Sequence, residues 1–260
     1  MTTGARTRPQ RWGSTISVII PTLDEAAWLP RLLADLAQQT RAPDEVIVAD
    51  GGSADATEAI AEAAGARTLR SARRGAALQR NAGAVAAGGD VLVFVDADVR
   101  LPPRTLERLL ASMERRRLDV ACPWFRPDPG DPLLHVFFTL LDVVFVLTAP
   151  VVPSGGGGLI AVRRDLFAAV GGFDPAYRFE DMRFLQAAGW LGRYRVVLTP
   201  VHFSDRRFRR DGRLRTIGTY LLLGVLFAFG LHRTANRVGY RSGPYEAEAA
   251  GFAEAGEGRR

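Results

Sequence analysis

A chain of 260 residues with 47 % hydrophobic content is long enough to bury a full core, as one large domain or one domain with an appendage. Its formal charge is +6 and all 34 basic residues are arginine, which excludes a P-loop lysine and a Schiff-base lysine. A single cysteine, Cys122, excludes an intramolecular disulfide and any multi-cysteine zinc site, and the three histidines, His135, His202 and His232, lie too far apart for a local metal motif.

Residues 1–14 are polar and basic, with no apolar core of a secretory signal, and read as a disordered arm on a cytosolic chain. Ile16–Ile20 (ISVII) reads as a first strand stopped by Pro21. Thr22, Leu23, Asp24 and Glu25 then lead into a helix over 26–39, with an apolar stripe of Trp28, Leu29, Leu32, Leu33 and Leu36 and with Thr22 or Asp24 as its cap. Glu25 is either a helix-start carboxylate favoured by the dipole or a nucleotide contact. No G-x-G-x-x-G follows this strand, which argues against a Rossmann dehydrogenase.

Glu45–Ala49 reads as a second strand ending at Asp50-Gly51-Gly52-Ser53, with a helix from Thr57 to Ala64. Such a turn admits close backbone approach, presents helix N–H groups to a ligand, and offers a carboxylate to a base or ribose. It is equally an ordinary capped connection. After an edge segment, Ala66–Leu69, a loop with Arg73 and Arg74 enters a helix carrying Arg80 and Asn81, candidates for diphosphate and base contacts. Val91–Val99 (VLVFVDADV) follows. Five unbroken apolar residues suit a strand buried on both faces of a parallel sheet. The strand ends at Asp96 and Asp98, where open α/β sheets gather ligands, and two carboxylates there suit a divalent cation bridging phosphate oxygens.

The run SVIIPTLDE, EVIVADGGSADAT, RGAALQRNAGAVAAGGD and VLVFVDADVRLPP resembles the nucleotide-binding half of a family 2 glycosyltransferase of the GT-A fold, within a match over residues 15–205. The fold so implied is α/β: a Rossmann-like, mixed, mostly parallel sheet sandwiched by helices, with a C-terminal amphipathic or apolar helical appendage. The expected divisions are 15–103 (nucleotide-binding half), 104–205 (acceptor half), 206–240 (basic and apolar membrane-proximal or oligomerisation helix) and 241–260 (disordered tail). The resemblance implies a nucleotide-sugar donor, most commonly UDP-linked, in a pocket formed by Pro21, Thr22, Glu25, Asp50, Gly51, Ser53, Arg74, Arg80, Asp96 and Ala97. It also implies Mn²⁺ or Mg²⁺ held by Asp98 with Asp96, and His202 as a late metal or phosphate contact. Where the family usually has Asn, this chain has Asp24.

Downstream, Thr105–Arg116 reads as an amphipathic helix and Val120–Pro123 as a strand, followed by a proline-rich break over 125–132. Leu133–Val152 is strongly apolar but contains His135, Asp142 and Pro150, so a buried or membrane-surface helix is favoured over a span. Ser154–Gly158 (SGGGG) permits close backbone approach or loop motion. The string RRDLFAAVGGFD from Arg163 to Asp174, followed by Glu180 and Asp181, resembles the acceptor-side region of the same family, which implies Asp181 as catalytic base with Glu180 supporting it. Two adjacent carboxylates at a helix start also simply compensate the dipole. Residues 193–215 carry eight Arg against two Asp, and Ile217–Leu231 is apolar. The pair reads as an interfacial element for anionic lipid, with a core or dimer helix as the other reading.

The expected activity is metal-dependent, inverting sugar transfer to an acceptor hydroxyl of a small molecule or a lipid-linked substrate. The expected setting is the cytoplasm, peripheral on the inner face of the membrane and compatible with a homo-oligomer. A catalytically inactive subunit binding nucleotide or lipid is the non-enzymatic alternative. A haloacid-dehalogenase-type phosphatase is disfavoured because about ninety residues of α/β chain precede the D-x-D and lysine is absent. Nucleic-acid binding is disfavoured because the Arg cluster leads into apolar sequence without interleaved aromatics.

Overall fold

Val91–Val95 (β4) sends alternate side chains to opposite sides of a sheet, and both sides are filled. Val91, Val93 and Val95 enter one apolar cluster, while Leu92 and Phe94 enter a second. In the computed structural model, which describes residues 15–127, 131–204, 208 and 211–238, this strand lies near the middle of eight. The expected arm and tail, and Arg206, Arg207, Arg209 and Arg210, lie outside the described residues.

The first half alternates strand and helix: β1 (Ile16–Thr22), α1 (Leu29–Ala37), β2 (Glu45–Asp50), α2 (Thr57–Ala63), β3 (Arg67–Arg70), α3 (Ala76–Ala86) and then β4. The second half contains β5 (Val99–Arg100), α4 (Thr105–Arg116), β6 (Val120–Pro127), α5 (Pro132–Thr148) and β7 (Leu159–Arg163). It continues with α6 (Arg164–Val170), α7 (Glu180–Leu191), β8 (Tyr194–Phe203), α8 (Arg213–Ala228) and α9 (His232–Asn236). The sheet order is β3-β2-β1-β4-β7-β6-β8-β5. β1 to β4 are mutually parallel where they pair, β7 is antiparallel to both β4 and β6, β8 is parallel to β6, and β5 is antiparallel to β8.

One cluster joins the sheet to α1 through Leu29, Leu32 and Leu36, and to α4 through Leu106, Leu109 and Met113. The other joins it to α3 through Ala77 and Ala84, and to α6 and α7 through Leu166, Phe184 and Leu185. Each fully buried aliphatic or aromatic side chain in these layers contributes about 1.5–3 kcal/mol. Cys122, on β6, is wholly buried and unbridged, and burial pushes its thiol pKa up.

Among residues 15–127, three elements differ by two residues or more from the sequence reading. β1 runs through Pro21 to Thr22, because its pairing with β4 ends at Ile19, so only β2 flanks the strand where the proline lacks its N–H. α1 starts at Leu29 rather than at 26 and has no side-chain cap. Thr22 belongs to β1, and Asp24 takes a positive φ of 55° while accepting from the Ala54 N–H at 2.7 Å. β6 extends past Pro123 to Pro127, with an irregularity between Pro123 and Trp124.

Candidate active site

Because β1, β2 and β4 are parallel, their carboxyl ends share one edge and carry Thr22, Asp50 and Asp96 to it. Asp50 is fully buried and organises the turn after β2. Its Oδ2 accepts from the Gly52 and Ser53 N–H groups, both at 2.7 Å, and its Oδ1 from the hydroxyls of Ser53 (2.5 Å) and Thr22 (3.1 Å). Gln79, absent from the sequence reading, is also fully buried. It donates to the Thr22 carbonyl at 2.5 Å and fills the space a Cβ on Gly51 would need. Arg74 reaches the Gly52 carbonyl at 3.4 Å, and Glu25 lies buried beside this turn, its N–H donating to the Thr57 hydroxyl at 2.9 Å. Glu25 is therefore not a helix-start carboxylate, since α1 begins four residues later.

Arg80 joins the two halves of the chain. From α3 it donates to Asp96 Oδ1 at 2.7 Å and to Glu180 Oε1 at 2.6 Å, and it stacks 5.3 Å from the Phe173 ring centroid. Burial works against its charge, but Asp96, Glu180 and Asp181 more than offset that and hold its pKa above the usual arginine range. Asn81, the next residue, does not face a ligand. It donates to the Phe173 carbonyl at 2.7 Å and accepts the Phe173 N–H at 2.9 Å, fastening the Gly171-Gly172-Phe173 turn to α3.

Glu180 and Asp181 form the first turn of α7. Burial raises the Glu180 pKa to about 7 against the pull of Arg80, and burial likewise raises that of Asp181. Asp181 accepts its own helix's Met182 N–H at 2.7 Å through Oδ1. Its Oδ2 occupies the place where Gly157 would carry a Cβ. The SGGGG segment is thus a close-approach strap: the ring of Phe125 fills the corresponding space at Gly156, and the Gly158 carbonyl accepts from the Asp96 N–H at 3.0 Å.

Asp96, Asp98 and Asp181 line one cavity of about 260 Å³. Its opposite wall is apolar, with Phe138, Leu141 and Phe145 from α5 and Tyr220, Leu223 and Phe227 from α8. α8 is held there at both ends: Arg213 pairs with Asp131, the N-cap of α5, at 2.9 Å, and the Phe227 carbonyl accepts from Gln186 at 3.2 Å. Asp142, in mid-α5, reaches the same cavity and pairs with Arg126 at 2.8 Å, while burial pushes its pKa up to about 7. Sequence reasoning had no means to place the α8 aromatics or Asp142 at this site, since the contacts span most of the chain.

Two expected members fall short. Ala97 is buried in the core, leaving only its backbone to face a ligand, and His202 does not join the carboxylates. His202, on β8, pairs in register with Arg100 of β5 and Arg126 of β6, outside the cavity lining, and its buried Nδ1 has no hydrogen-bond partner among the described residues. Among those residues no three His, Cys, Asp or Glu side chains gather as a metal cluster.

Residues 17–136 match the family model described as Glycosyl transferase family 2. Through that segment, just under half of its length, the chain is similar to glycosyl transferase family 2. An uncharacterised glycosyltransferase of Haemophilus influenzae is 28 % identical over 187 residues, covering 65 % of this chain and 60 % of that protein, so the chain spans less than two thirds of this relative's length. The fold matches two solved structures. A mannosyltransferase from Pyrobaculum calidifontis, in complex with GDP-mannose and Mn²⁺, gives a TM-score of 0.66 at 22 % identity, over 95 % of this chain and 76 % of that one. Glucosyl-3-phosphoglycerate synthase from Mycobacterium tuberculosis, with Mn²⁺, UDP and phosphoglyceric acid, gives 0.61 at 23 % identity, over 84 % and 79 %. These likenesses show that the chain has the GT-A fold of those glycosyltransferases.

Proposed function

We propose that this chain is a family 2 glycosyltransferase, divalent-metal-dependent and inverting, that moves a sugar from a nucleoside-diphosphate donor, UDP in the leading reading, to an acceptor hydroxyl. The single observation that carries the reading is the convergence of Asp96, Asp98 and Asp181 on one cavity at the carboxyl edge of the sheet. The turn built by Thr22, Asp50, Gly51 and Ser53, with Pro21, Glu25 and Arg74 nearby, supports a nucleoside site on the same edge.

Asp98 and Asp96 would be the residues to hold a hard cation, Mn²⁺ or Mg²⁺, being two carboxylates on one short turn. That arrangement is usual for Mg²⁺ sites and needs no third protein ligand. A cation held there supplies charge neutralisation for the departing diphosphate. Arg80 keeps Asp96 aimed at this point and, through Glu180, sets the position of α7. Asp181 takes the proton of the acceptor hydroxyl as its oxygen attacks the anomeric carbon and the sugar–phosphate bond breaks. A pKa raised by burial makes this carboxylate a stronger base than a solvated aspartate. The apolar wall opposite suits an acceptor with an apolar body, hence a lipid-linked one, met at the inner face of the membrane.

Calorimetric titration with UDP, GDP and dTDP, with and without Mn²⁺, tests the donor site. The expected outcome is Mn²⁺-dependent binding of one nucleotide, lost in Asp98→Ala. No binding of any of the three overturns the reading. Asp181→Asn is expected to keep nucleotide binding and lose about 10²–10⁴ in turnover; full turnover in that variant removes Asp181 from the role of base.

A further inference from the structure

α5 and α8 are apolar on two opposite faces, and the cavity accounts for only one of them. On α5, Val136, Leu140, Val144 and Leu147 recur at helical spacing along the outer side, and Leu147 is 73 % exposed. On α8, Leu214, Leu221 and Val225 do the same, with Phe229 just beyond the helix, and Leu214 is 78 % exposed. A helix that is apolar all round belongs in a core or in contact with lipid. Neither helix crosses a bilayer. No described helix is long and apolar enough, and at 17 and 16 residues these two reach only about 25 Å at 1.5 Å per residue, against about 30 Å of hydrocarbon.

Charge identifies the cover. α8 contains no acidic residue, and the one acid within α5, Asp142, turns inward to Arg126. Exposed arginines flank the apolar strip instead: Arg215 at the start of α8, beside Arg213 with its Asp131 partner, and Arg233 and Arg237 beyond its end. A second copy seated on this face would set like charges against each other with no outward-facing acid on either helix to pair them. An anionic bilayer matches both features, accepting apolar side chains at the acyl boundary and arginines among its headgroups.

We infer that the outer faces of α5 and α8 form a docking surface for an anionic lipid bilayer, with both helices lying in the interface plane. The same two helices supply the apolar wall of the cavity, so docking sets that wall beside the lipid phase from which an acceptor with an apolar body is drawn. This last consequence rests on the transferase reading; the docking itself does not.

Flotation of the full chain with vesicles tests the inference. The probes are phosphatidylcholine alone and phosphatidylcholine with about a third phosphatidylglycerol, at low and at high salt. Expected is at least tenfold more protein floating with the anionic vesicles, with the excess falling as salt rises. The double variants Leu140→Glu/Leu147→Glu and Leu221→Glu/Val225→Glu, whose targets are exposed and outside the cavity, are each expected to lose at least tenfold while keeping Tm and Mn²⁺-dependent nucleotide binding. Wild type that stays unbound to anionic vesicles, or variants that float as well as wild type, overturn the inference. So does a concentration-dependent dimer in sedimentation velocity that these substitutions dissociate, because the face would then belong to a second copy. Nucleotide binding measured without lipid keeps the two readings separable: its failure removes the transferase and leaves flotation standing, and the reverse holds as well.

Discussion

Gly157 has a role that composition alone disguises. In the sequence it is one of four successive glycines, consistent with either motion or close approach. In the structure its missing Cβ is the space that Asp181 Oδ2 occupies. Gly157→Ala is therefore expected to displace the carboxylate and lower turnover by tenfold or more, since a displacement of about 1 Å at a reacting group costs about 10²-fold. Thermal melting beside a turnover assay checks that the loss is local. Asn81 shows the opposite case, a residue whose place beside Arg80 pointed to ligand binding but whose amide is spent on the Phe173 backbone. Asn81→Ala leaves those two backbone groups without their partner and is expected to cost about 1–3 kcal/mol, read by chemical denaturation, with nucleotide affinity unchanged. Both assignments depend on contacts between residues 92 and 24 positions apart, which no local pattern encodes.

At the scale of elements, helices with one apolar stripe and strands ending in acids were legible. α4 matches its predicted range, and β4 is the buried strand its unbroken apolar run demanded. Elements bounded by proline were less so, because a proline ends a strand only where its N–H is needed, and at Pro21 no neighbour asks for it. α5 combines both lessons. Its ionisable residue, Asp142, argued against a membrane span, and no described helix is long and apolar enough for one, yet only the fold reveals that it is paired with Arg126 from β6. With a pKa pushed from 3.8 to about 7 in the native state, Asp142 binds a proton more tightly folded than unfolded. Its stabilising contribution is present below pH 4 and is lost as pH rises through about 7. Asp142→Asn removes this dependence, so Tm at pH 8 minus Tm at pH 4 should rise by several degrees over wild type in melting curves.

For the molecule as a whole, residues 15–103 were readable because parallel strands, turns and acids follow one another in chain order. The part from residue 104 onward was not. There the sheet reverses direction at β7, and the cavity is closed by α5 and α8, whose facing aromatics come from residues some eighty positions apart. Composition reported the apolar stretches and the arginines but not that one face of each stretch is turned to the carboxylates and the other outward.

The buried thiol of Cys122 has a practical corollary. It is the chain's single sulfhydryl, it is fully enclosed, and its raised pKa keeps it protonated at neutral pH, so maleimides should leave the folded native protein unmodified. A new cysteine on the outer side of α5, as in Leu147→Cys, then becomes the one reactive handle without any background mutation. An environment-sensitive fluorophore attached there should shift to the blue on mixing with anionic vesicles, turning an orientation in space into a colour that can be followed in real time.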